Sequence, residues 1–245
     1  MRAKILLFLL LSLVLFLYLR MLRRRGLPHS ESLGRLRAHL APALAQALKK
    51  RGLKSGAPAF LRFFKESSEL EIWIRDAIGG RYELFRTLPV MAHGNTPGPR
   101  VDREDGRTPE GCYLLESRHL SASEKKGLRI DTGYPNGLDK DEGRKGQRAA
   151  FHSGPMTEGD IALAPEHMEV LYLLTEQALR GAGRCLPLYI LPFRMTDERM
   201  AAESASPWVS FWDSLRKGSD LFDMDRVPPI DGAKDGAYVF RKQPL

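Results

Sequence analysis

Residues 58–90 constrain the fold of this chain most. AFLRFF (59–64) and ELEIWIR (69–75) run apolar or alternate, and after Gly79-Gly80 the segment RYELFRTLPV continues the pattern to Val90. Successive side chains of a strand point to opposite faces, so three such segments in close succession predict a β-meander. CYLLES (112–117) and GLRIDTGYP (127–135) offer further strands, and LPLYILPF (186–193) a late, buried one. Residues 92–111 and 135–146, rich in Gly, Pro and charge, predict two long loops, where sites are usually built. Glu166 to Leu179 is the clearest helix, with Met168, Leu171, Tyr172, Leu174 and Ala178 on one face and Gly181 as its stop. PWVSFWDSLRKGSDLF (207–222) suggests a short helix anchored by Trp208, Phe211 and Trp212, more in keeping with a core than with a sugar platform. The fold class is therefore mainly β with a few helices, an α+β arrangement.

Charge narrows the partners. The chain of 245 residues carries a net +8, but residues 1–58 hold twelve Lys/Arg against one acid, Glu31, which leaves residues 59–245 at −3. A surface tracking a phosphate backbone is not expected of a slightly acidic domain, so no nucleic-acid partner is expected. The basic charge belongs to the N-terminal arm, where attraction to anionic headgroups explains it more simply.

Within that arm, Ile5 to Leu19 is an unbroken apolar run between Arg2 and Lys4 on one side and Arg20, Arg23, Arg24 and Arg25 on the other. Its length suits a signal-peptide core, and tilt with Arg snorkelling would let it span a bilayer. No small-x-small cleavage site follows promptly, so residues 1–25 read as an uncleaved signal anchor. Positive charge on both sides leaves the orientation unset. Residues 26–57 read as a basic amphipathic helical linker, with Leu33, Leu36, Leu40, Leu44 and Leu48 at helical spacing, Ser30 as N-cap and Pro42 expected to kink or interrupt it. This helix could lie on a membrane surface or pack against the domain.

The only cysteines, Cys112 and Cys185, stand in unrelated contexts without C-x-x-C or Cys/His ligand spacing, so neither a zinc site nor any cofactor is expected. Both read as structural thiols.

Six motifs then follow in order: FLRFFKESSELEIWI (60–74), GPRVDREDGRTPEGCY (98–113), TGYPNGLDKDEGRKG (132–146), FHSG with EGD (151–160), PFRMTDERM (192–200) and PWVSFWDSLRKGSDLF (207–222). Together they resemble the L,D-transpeptidase catalytic domain of the YkuD type, and within it the YafK-like subgroup, over roughly residues 52–240. The resemblance implies a β-barrel or sandwich over 58–240 and an inner-membrane-anchored protein whose domain faces the periplasm. The partner it implies is peptidoglycan or another envelope polymer, cleaved by a cysteine thiolate through an acyl-enzyme. His152 matches the family's catalytic His, although Ser153 replaces the Gly of its His-Gly pair. Tyr134, Asn136, Arg144 and Gly146 match elements that shape the substrate cleft; Ser153 and Gly159 flank the catalytic positions.

One departure decides the chemistry. The family's Ser-x-Gly-Cys is here Thr157-Glu158-Gly159-Asp160, so Asp160 stands where the nucleophilic cysteine would. A carboxylate attacks amides poorly, and a mixed anhydride collapses back, so thiol-type transpeptidation is not expected. Two readings remain open. Either the site is repurposed as a transferase or hydrolase in which His152, Asp160 and Glu158 act as acid, base or carboxylate nucleophile, or the domain is inactive and binds wall fragments or a protein. The structural alternatives are a core histidine for His152 and a capping carboxylate for Asp160. A metal held by the pair lacks a third ligand, so no metal is expected.

Overall fold

The computed structural model describes residue 12 and residues 26–76, 78, 80–155, 158–181 and 184–243. Ser12 apart, the apolar run 5–19 lies outside them. No helix of the described residues is long and apolar enough to cross a membrane.

The predicted meander forms as β1 (Ala59–Phe64), β2 (Glu69–Arg75) and β3 (Tyr82–Pro89), antiparallel in sequence order. β4 (Ala92–His93) follows in the first long loop, then β5 (Gly111–Leu115), β6 (Leu120–Ser123) and β7 (Gly127–Asp131). Short strands β8 (Ala150–His152) and β9 (Ile161–Ala162) come next, and β10 (Leu186–Leu191) is the late buried strand. Two five-stranded sheets result, in the orders β3-β2-β1-β10-β5 and β4-β9-β8-β7-β6. Pairing is antiparallel except for β1 with β10 and β8 with β9.

Strand alternation divides the core in two. Leu61 and Phe63 of β1 join Ile130, Phe151 and Ile161 of the second sheet, while Phe60 and Phe64 turn to the opposite layer with Tyr189, Trp212 and Phe222. β1 is consequently buried along its whole length, as expected of a strand covered on both faces.

Five helices complete the described fold: α1 (Glu31–Lys49), α2 (Gly137–Asp141), α3 (Pro165–Arg180), α4 (Asp197–Ala202) and α5 (Val209–Asp225). Ser30 caps α1 by accepting from the Leu33 N–H. Pro42 neither breaks nor ends this helix. Ala38, whose carbonyl loses its partner, is exposed, so water can satisfy it. α1 packs on the domain through Leu33, Leu44 and Leu48, and Arg37 Nε donates to buried Glu176 of α3 at 2.9 Å. α3 is buried nearly all round because α1 covers the side away from the sheets. α5 is longer than the expected short helix; it seals the second core layer with Phe211, Trp212, Leu215 and Phe222.

A C-terminal hairpin was not anticipated. β11 (Ile230–Lys234) and β12 (Ala237–Arg241) pair across Asp235-Gly236, both with positive φ, the signature of a tight two-residue turn.

Candidate functional site

The site assembles on three neighbouring strands of the second sheet. Arg129 of β7 stands opposite His152 of β8, and β9 begins directly after Asp160. In each strand the neighbouring apolar residue, Ile130, Phe151 or Ile161, is fully buried in the core. The polar residues are thereby turned together to the other face.

Asp160 is 1% exposed. Its carboxylate takes a bidentate pair from Arg129, Nη1 to Oδ2 at 3.0 Å and Nη2 to Oδ1 at 3.1 Å, and Oδ1 also accepts the Ala150 N–H at 2.8 Å. Burying a carboxylate without partners is costly, and this fork of donors is what offsets it. The bonds also join three strands, because Arg129, Ala150 and Asp160 belong to β7, β8 and the entry to β9.

His152 lies beside this pair. Its Nε2 is 3.4 Å from Asp160 Oδ2, within ion-pair range but not aligned as a hydrogen bond. Its Nδ1 accepts the Gly154 N–H at 2.9 Å, which places the proton of the neutral ring on Nε2. Burial lowers the His152 pKa; Asp160 raises it by less, and Arg129 lowers it further. The imidazole is therefore neutral near pH 7, and its basic nitrogen is occupied. A productive His-carboxylate couple would instead raise it.

The surrounding loops are held from behind. Thr108 Oγ1 donates toward the carbonyls of Gly159 and Asp160 at 3.1 and 3.3 Å, and Arg100 Nη1 donates to the Glu158 carbonyl at 3.2 Å. Gly159 has φ +74°, and a Cβ there would collide with the Arg100 guanidinium and the Arg107 carbonyl, so only glycine fits. Gly146 is equally confined by Arg100 and the Tyr134 ring. Lys65 and Glu110, both fully buried, pair at 2.8 Å, and Glu110 also accepts from Trp212 Nε1 and Gly98 N. Burial lowers the Lys65 pKa despite Glu110.

The remaining residues singled out in the sequence divide between interior and surface. Tyr134 is buried, its hydroxyl donates to the Arg100 carbonyl, and burial pushes its pKa up to about 12. Asn136 caps α2 and donates to the Cys112 carbonyl and the Tyr238 hydroxyl. Arg144 pairs with buried Asp139 at 2.9 Å and lies over Phe211. These three side chains spend their polar atoms on internal partners. Ser153 and Glu158 are exposed, and Ser153 lines a cavity of about 260 Å³ with Leu36, Leu128, Pro165 and Glu169. Thr157 lies outside the described residues. Cys112 and Cys185 are free thiols rather than a disulfide; burial raises both pKa values, Cys112 strongly, which disfavours a thiolate.

Arg129, Arg100, Thr108 and the Lys65–Glu110 pair escape sequence reading. A charged residue between two apolar ones in GLRID was the signal for Arg129, but its partner is set by strand register.

No family model matches the chain. It is 27% identical over 187 residues to "Putative L,D-transpeptidase YafK" of Escherichia coli (strain K12), across 76% of this chain and 75% of that protein. The chain resembles the YafK-like L,D-transpeptidases. The same identity and coverage hold for that protein of E. coli O157:H7. Two solved structures are more distant: the helical cell shape determining protein Pgp2 (K307A mutant) from Campylobacter jejuni, and Bd1075 of Bdellovibrio bacteriovorus. Pgp2 is 18% identical with a TM-score of 0.45, covering 71% of this chain and 65% of that one. Bd1075 is 21% identical with a TM-score of 0.41, covering 67% and 60%. The chain thus spans less than two thirds of either solved chain, and at these scores neither likeness bears on fold or function.

Proposed function

We propose that this is a cell-envelope protein directed at peptidoglycan or another envelope polymer, whose YkuD-like domain binds that polymer without thiol acyl transfer. In this reading residues 1–25 hold it in the inner membrane, and residues 58–240 face the periplasm. The likeness to YafK supports the envelope assignment.

The observation that carries the non-catalytic reading is the bidentate Arg129–Asp160 pair at 3.0 and 3.1 Å. Both carboxylate oxygens point into donors, and a carboxylate so engaged is a poorer nucleophile than a free one. The neighbouring imidazole offers no free basic nitrogen, since Nδ1 already accepts from Gly154. Position 160 has exchanged chemistry for a clamp between strands.

A second reading keeps the site catalytic, as a transferase or hydrolase. It draws on the 3.4 Å approach of His152 to Asp160, with exposed Glu158 two residues away in sequence.

Cosedimentation of the full chain with purified sacculi, followed by muropeptide chromatography of the pellet, separates them. The binding reading expects the protein in the pellet and an unchanged muropeptide profile. Failure to pellet contradicts wall binding, and new cross-linked or trimmed muropeptides restore the catalytic reading.

A further inference from the structure

We propose that the cleft between the end of α1 and edge strand β3 binds a phosphate group. The cleft is open to solvent, has a volume of about 560 Å³ and is lined by Ala47, Arg51, Leu84, Arg86, Thr87 and His167, with no acidic residue in its wall. It lies on the outer edge of the first sheet, whereas Asp160 and His152 belong to the second.

Many arginines of the described residues are paired with acids, and the two that line this cleft are not. Arg37, Arg62, Arg129, Arg144, Arg194 and Arg199 each meet a carboxylate. Among the described residues no carboxylate pairs with Arg51 or Arg86. Arg51 Nη1 donates to the carbonyls of Leu84 and Phe85 at 2.9 and 3.0 Å, which fixes its guanidinium against β3. Both guanidiniums lie near the same buried ring, Arg51 at 5.6 Å and Arg86 at 5.4 Å from the centre of Phe85. Two guanidiniums this near one ring, with no carboxylate partner, leave a local excess of positive charge that an anion in the cleft would offset.

Two further features point to the same ligand. His167, in the first turn of α3, lines the same cleft. A register shift between Ile72 and Trp73 makes Phe85 the extra residue of β3. Phe85 and Leu88 are then both buried, and Arg86 and Thr87 are both left exposed. Bulges of this kind re-aim side chains. Donors arriving from the end of α1 (Arg51) and from β3 (Arg86 and Thr87) suit a tetrahedral anion with several acceptor oxygens better than a planar carboxylate, which one guanidinium fork would satisfy.

The phosphate could be free or belong to a lipid headgroup, and titration calorimetry on the detergent-solubilised full chain tells them apart. The probes are inorganic phosphate, a short-chain phosphatidylglycerol and acetate. Arg86→Gln is the cleanest variant, because the Arg86 side chain is exposed and makes no hydrogen bond within the described residues; the Arg51→Gln/Arg86→Gln double variant accompanies it. The proposal expects saturable binding of phosphate or of the lipid, weakened at least about tenfold in Arg86→Gln with an unchanged melting temperature. Comparable binding of both probes identifies free phosphate as the ligand, and tighter binding of the lipid identifies the headgroup. The proposal is overturned if neither phosphate probe binds, if acetate binds as well as they do, or if both variants bind like the wild type.

Discussion

Replacing Asp160 by Asn tests whether this position serves stability. The wild-type carboxylate takes two hydrogen bonds from Arg129 and one from the Ala150 N–H. An amide has a single acceptor oxygen. If it keeps the Ala150 bond, its NH2 faces an Arg129 N–H, donor against donor, and the guanidinium loses its counter-charge. Removing one partner of a fully buried pair costs about 3–5 kcal/mol. The Arg129 side chain is 36% exposed, so water recovers part of this, and about 3 kcal/mol is the expected loss. For a domain of this size that corresponds to about 9 °C in melting temperature. Urea and thermal unfolding followed by circular dichroism measure it, and a double-mutant cycle with Arg129→Gln should return a coupling of about 2 kcal/mol. The catalytic reading expects the reverse, a stable protein that has lost activity. An Asp160→Asn protein within about 0.5 kcal/mol of wild type would refute the structural role.

Further outcomes follow from the same geometry. Burial lowers the pKa of His93, His119 and His152. The unfolded chain therefore binds more protons below the ordinary His value of about 6.5, and stability present above that pH is lost as pH falls. The slope should reach at most about 1.4 kcal/mol per pH unit from buried His152, less from the half-buried pair, and His152→Gln should flatten it; a flat stability profile from about pH 7 to about pH 5 would contradict this. Glu176→Gln removes the negative charge and one of the two acceptor oxygens that tie Arg37 of α1 to α3. It should cost about 1–3 kcal/mol and speed hydrogen exchange across Glu31–Lys49; unchanged protection would show that the leucines alone dock the helix. A reporter active only outside the cytoplasm, fused after Leu245, should be active, and an inactive reporter on a stably expressed fusion would overturn the envelope assignment.

Much of this was legible in the sequence, for identifiable reasons. β1, β2, β3, β10 and α3 carry enough apolar residues in period to declare themselves, and Ser30 announces the start of α1. The family resemblance singled out His152 and Asp160, and the two side chains lie 3.4 Å apart. What escaped is non-local. β8 and β9 have three and two residues, too few to show a period, yet they create the site. Nothing in GLRID states that Arg129 will stand opposite His152, because register is decided by pairing. Tyr134, Asn136 and Arg144 are polar residues in a loop by sequence, and only the fold reveals that their partners lie inside. Asp235-Gly236 is a readable turn signal, but β11 beside it is wholly exposed and shows no apolar alternation.

In the binding reading proposed above, position 160 has no nucleophilic role. Intact-mass spectrometry of the full chain after incubation with a peptidoglycan stem tetrapeptide tests it most directly. The expected spectrum shows the unmodified mass at every time point, with Asp160 held by Arg129 and both cysteines unreactive. A stable acyl adduct mapped to Asp160, Cys112 or Cys185 would contradict the account.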